Sequence, residues 1–98
     1  MGPIMSEQTQ TFSNVFDALA DTPQEAANLR ARAELARALS ALVAANRWTQ
    51  AEAARRCGVT QPCMNDLLRG RISRFSLDAL VNLAVGCGQP VRVALEAA

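Results

Sequence analysis

The feature that most restricts this chain is the stretch TQAEAARRCGVTQPCMNDLLRGR, Thr49 to Arg71, in which two short helices are joined by almost no connection. Thr49 and Glu52 form a capping-box pair that starts a helix, and Gly58 gives that helix a left-handed exit about two turns later. Thr60 then caps a second helix. Pro62 falls in its first turn, where no hydrogen bond is lost, and the helix runs to Arg69 before Gly70 ends it. The link Cys57-Gly58-Val59 is therefore a tight turn, and the two helices it joins must cross.

The small and apolar residues fall where such a crossing needs them. Counted from Gln50, Ala54 is fifth, Gly58 ninth, Val59 tenth, Met64 fifteenth and Leu67 eighteenth. Ala54 is small where the helices cross, Gly58 makes the sharp turn, and Val59, Met64 and Leu67 hold the second helix at its angle, the spacing of a helix-turn-helix unit. At about 100° per residue, Met64, Leu67 and Leu68 mark the inner face of that helix, which turns Pro62, Asp66 and Arg69 outward with Gln61, Cys63 and Asn65 beside them. These side chains suit base edges. Gln and Asn pair with adenine, Arg reads guanine or binds phosphate, and Asp accepts from the cytosine N4 amine. The free amides at the start of the first helix, beside Gln50, suit a phosphate, and Arg71 and Arg74 follow the second helix closely enough to grip the DNA backbone.

Charge agrees with this once it is divided along the chain. The total is only +1, but residues 1–46 carry −2, residues 47–74 carry +4 and residues 75–98 carry −1. The positive charge is concentrated in the middle of the chain. All ten basic residues are Arg, which a GC-rich coding bias explains as readily as phosphate recognition does. Arg55 and Arg56 fit a solvated helix face as well as a phosphate contact.

The composition also excludes function classes. There is no His, no paired carboxylate at a plausible site, no glycine loop to cradle phosphates and no Cys with a base nearby, so no enzyme and no cofactor are expected. Cys57, Cys63 and Cys87 form no CxxC pair, which speaks against zinc, and an odd count of thiols fits a reducing cytosol. Cys63 would sense redox state only with an exposed thiol of lowered pKa; an inert thiol is the expectation. No run reaches the about 20 apolar residues that span a bilayer, and MGPIMSEQTQ lacks a basic region followed by an apolar one, so a cytoplasmic protein without membrane contact is expected.

Around the central stretch the chain reads as helical, with a great deal of Ala and Leu and only four aromatic residues. Residues 1–11 are polar and expected to be disordered, residues 12–89 form the folded domain, and residues 90–98 form an added element. Phe12, Val15, Phe16 and Leu19 recur at helical spacing, either to cover the core or to bind a partner. Thr22, Pro23 and Glu25 start a long helix whose stripe of Leu29, Ala33, Leu35, Ala36, Leu39, Leu42 and Val43 carries it to about Asn46. Ser76 caps a further helix with Leu77, Leu80, Val81 and Ala84 inward, closed by Gly86 and Gly88. Beyond Pro90, Val91, Val93 and Leu95 alternate with Arg92, Ala94 and Glu96, the period of a strand. A lone strand needs a partner, which is either the same strand of a second subunit or the segment around Val15.

At these residues the chain resembles the Xre/Cro-like helix-turn-helix regulators, which include phage repressors and many antitoxins. NVF near residues 14–16, TQAEAA, GVTQP, LLRGRISRFSLDALVNLA and the terminal apolar strand are similar to the HigA-like antitoxin branch, over roughly residues 12–95. The resemblance implies an all-α, lambda-repressor-like bundle of four to five helices with a short C-terminal β-strand. It further implies a homodimer that binds a double-stranded DNA operator, often represses its own operon and, in the antitoxin branch, masks a small ribonuclease toxin of the RelE/HigB type. The alternatives are a free-standing Xre-type regulator without a toxin and a protein-interaction module that does not bind DNA. By that analogy Gln50 contacts phosphate, and Gln61, Pro62, Cys63 and Asp66 face bases. Cys63 stands where relatives carry a polar or basic side chain, and Asp66 brings a negative charge toward DNA, so the operator sequence does not follow.

Overall fold

The computed structural model describes residues 21–97. By contacts the chain divides into two units, residues 1–31 and Arg32–Ala98. Four α-helices and one 3-10 turn are present among the described residues: α1 (Pro23–Ala45), α2 (Gln50–Cys57), α3 (Gln61–Leu68), the turn Ile72–Arg74, and α4 (Leu77–Gly86). The sequences expected to disorder (residues 1–11) and to dock (Phe12 to Leu19) lie outside the described residues.

In the first unit α1 begins as its sequence dictates. The Thr22 hydroxyl accepts the Glu25 N–H at 3.1 Å, and the Glu25 carboxylate accepts the Asp21 N–H at 3.0 Å. Reciprocal capping of this kind satisfies amides that have no partner within the helix.

The second unit holds the hydrophobic core. Ala36, Leu39 and Val43 of α1, Ala53, Ala54 and Cys57 of α2, Met64 and Leu67 of α3, Phe75, and Leu80, Leu83 and Ala84 of α4 are buried together. Each fully buried Leu or Met side chain contributes roughly 1.5–3 kcal/mol relative to exposure. Trp48, Val59, Ile72 and Val91 close the edges of this cluster. The stretch after α3 is fixed from α1, since the Arg32 guanidinium donates to the carbonyls of Ile72 at 3.2 Å and Phe75 at 3.0 Å. Those carbonyls belong to the first residue of the 3-10 turn and to the residue just after it.

The helices end by one device. At Gly58 (φ +71°) the Gly58 and Val59 amides reach back to Arg55 and Ala54, at 3.3 and 2.9 Å, satisfying carbonyls that the helix leaves open. Arg47 does the same for α1 at φ +56°, with its own amide on Ala44 and that of Trp48 on Val43.

Two expectations are corrected. Residues 91–97 form no strand: Val91 packs on the core, whereas Val93 and Leu95 are 85% and 98% exposed. Alternation alone does not make a strand, which needs a neighbouring backbone to form its ladder, and no described part of the chain runs alongside. The cysteines also differ from a set of free thiols, because Cys57 and Cys87 are joined in a disulfide with Cα atoms 4.6 Å apart. The two helix ends meet because residue 86 is glycine; a Cβ there would lie 2.9 Å from the Cys57 carbonyl oxygen. Cys63 is the remaining free cysteine.

Candidate nucleic-acid interface

Helix α2 starts at Thr49, whose hydroxyl accepts the Glu52 N–H at 3.1 Å. Only this half of the expected capping box forms. The Glu52 carboxylate turns outward and takes Arg55, through two donors, and Arg56 Nε at 2.6 Å. Those hydrogen bonds, Arg55 first, hold the Glu52 carboxyl below its usual range, and Glu52 raises Arg55 in return. Arg56 also lies over the Trp48 ring, 4.9 Å from its centre. Both arginines thus have partners within the protein, which favours the reading of a solvated, internally paired helix face.

Helix α3 is set by its two ends and its inner side. The Thr60 hydroxyl accepts the Cys63 N–H at 3.2 Å, and Pro62 occupies the first turn as its missing N–H allows. Met64 and Leu67 are buried and Leu68 is half-buried, so the inner face is the one that the helical period predicts. The opposite face is open among the described residues: Thr60, Gln61, Pro62 and Arg69 are exposed, and Cys63, Asn65 and Asp66 are half-buried. Burial, and then the nearby Asp66 carboxylate, push the Cys63 thiol up, so it stays protonated at neutral pH. That matches the inert reading of this cysteine.

Gln50, Asn65 and Asp66 are tied into networks that the sequence did not reveal. Gln50 Nε2 donates to Asn65 Oδ1 at 3.1 Å, which links the first residue of α2 to the middle of α3. Asp66 accepts Arg71 Nη1 on Oδ1 at 3.1 Å and Arg74 Nη1 on Oδ2 at 3.3 Å. The carboxylate that the sequence offered to cytosine is held by two arginines. No local pattern marks these pairs, since their members are separated by 15, 5 and 8 residues and meet only once the turn at Gly58 and the exit at Gly70 are folded.

An open-faced short helix, crossed by a second across a glycine turn and followed by two arginines, defines a helix-turn-helix DNA-binding unit. The chain belongs to the helix-turn-helix domain family, which matches residues 18–96. No curated protein and no solved structure matches it. It is a DNA-binding regulator by that membership, and no described helix is long and apolar enough to cross a membrane.

Proposed function

We propose that this regulator is a sequence-specific transcriptional repressor that places α3 in the major groove of an operator. The observation that carries the reading is the open outer face of α3, with Gln61 at its first turn and Met64 and Leu67 fixing it from behind. Gln61, Pro62, Cys63 and Asn65 face bases in this reading; Gln50, Thr60, Arg69, Arg71 and Arg74 position the backbone. No step of it is catalytic.

One recognition helix covers only a few base pairs, so a homodimer on a two-fold site is part of the proposal. Val91, Val93 and Leu95 of the tail supply its interface, the last two as exposed apolar side chains that a second copy would cover. The resemblance to HigA-like antitoxins supports a further step, in which the protein represses its own operon and masks a RelE/HigB-like toxin. A gene of about a hundred codons beside this one is then expected. A protein whose ligand is the operator works in the cytoplasm, where the Cys57–Cys87 pair is open to reduction.

Selection from a pool of random duplexes tests the repressor reading. An enriched, two-fold symmetric site is the expected result. Binding to it should weaken steeply with salt, and Arg71→Ala should make the log-log slope shallower by about one unit. A pool that stays random would leave a module that uses this scaffold for protein contacts alone.

A further inference from the structure

An acid on the DNA-facing side of α3 needs an account, because a bare carboxylate there repels phosphate. Three features of Asp66 supply one. Its two oxygens are divided between two cations, Arg71 on Oδ1 and Arg74 on Oδ2. Its side chain is the covered member, 17% exposed against 43% for Arg71 and 60% for Arg74, so the guanidinium groups stand between the carboxylate and solvent. The backbone beneath is fixed as well, with the Arg71 amide on the Asp66 carbonyl at 3.0 Å and the Arg74 amide on the Arg71 carbonyl at 3.1 Å. Arg32 pins the same turn from α1.

Partly exposed ion pairs add little to stability, so folding alone gives no reason for this arrangement. Geometry gives a different one. Each arginine spends Nη1 on Asp66 and keeps the rest of its planar fork for a second acceptor. Arginine side chains are costly to order, and a shared carboxylate orders both before DNA arrives. The cluster keeps a net charge of +1 at the C-terminal end of the recognition helix, where the duplex backbone would pass.

We propose that Asp66 is a positioning residue, whose carboxylate brackets Arg71 and Arg74 into a preformed clamp for the phosphodiester backbone. It acts through the arginines and reads no base. The proposal rests on the DNA-binding reading above and assigns Asp66 a role within it.

The test turns on a sign. The probe is the duplex enriched by selection, together with its single-base variants and an unrelated duplex, each titrated at several salt concentrations. Loss of a negative charge should strengthen DNA binding if Asp66 is a spectator. The clamp instead predicts that Asp66→Asn weakens binding roughly three- to tenfold on every duplex, with base preference unchanged. In an Arg71→Ala, Arg74→Ala background the same change should be neutral or favourable, because there is nothing left to bracket. Asp66→Glu should recover part of the loss, and the thermal midpoint should stay near that of the parent. Tighter or unchanged binding by Asp66→Asn overturns the proposal, as does a change of preference confined to one base pair, which would make Asp66 a base reader. Failure of the parent protein to bind any duplex overturns the DNA-binding reading itself, and the clamp with it.

Discussion

Arg47 is the only non-glycine residue with positive φ among the described residues, at +56°, where it ends α1. A side chain in that region costs about 1–2 kcal/mol, and glycine returns part of this as unfolded-state entropy, about 0.5–1 kcal/mol. Arg47→Gly is therefore expected to stabilise the protein by about 0.5–1 kcal/mol, read as a higher urea midpoint with an unchanged slope. The strain was hidden in the sequence, which stops α1 near Asn46 without naming the residue that turns. Glu52 gives a pH-dependent prediction. Hydrogen bonds from Arg55, then Arg56, lower its folded pKa, so its contribution is present above its unfolded value and fades as pH falls through the folded one. Glu52→Gln should lower the melting temperature slightly at neutral pH and flatten the acid side of its profile below about pH 4.3 to match, both by little because the pairs are exposed. An identical acid limb in both proteins would mean that these pairs do not form in solution.

At the scale of elements, the helices were legible because capping residues, glycine exits and the 3.6-residue period all act locally. Thr49, Thr60 and Ser76 each accept the amide three residues on, and Gly58 has the left-handed conformation its position demands. Ala54, Met64 and Leu67 are buried as the helix-turn-helix spacing requires. The same reasoning missed Leu83 and Phe75, which enter the core through the arrival of α4 and the turn before it. It also made a strand of the tail, since alternation reports a pattern of side chains and not a partner for the backbone. Met64 has no exposed surface and anchors α3 from beneath. Met64→Ala should cost about 2–5 kcal/mol in chemical denaturation, with DNA affinity falling only as the folded fraction falls. Loss of DNA binding at full folding would show that α3 shifts without unfolding.

Across the whole molecule, the Cys57–Cys87 disulfide closes a loop that contains the turn at Gly58, α3 and α4, with a sequence separation of 30. Closing such a loop restricts the unfolded chain by about 3–4 kcal/mol in the chain-entropy account. Reduction should therefore lower the melting temperature by at least about 10 °C, and Cys57→Ala with Cys87→Ala should reproduce the loss, whereas Cys63→Ala should not. Equal melting in the two redox states would mean that the pair stays as thiols. A count of three cysteines could not reveal this bond, because it depends on the packing of α4 at Gly86 against the end of α2. The candidate site was legible in part for the same reason: the outward residues of α3 follow from its period, whereas the partners of Gln50, Asn65 and Asp66 follow from the fold. The account as a whole depends on the outer face of α3 reading bases, and the affinity of Gln61→Ala across every single-base variant of the enriched duplex tests this most directly. The expected result is a loss of about 1–3 kcal/mol on the parent duplex, relaxed preference at one base-pair position, and an unchanged salt slope. An equal loss on all variants, or no loss, would contradict it.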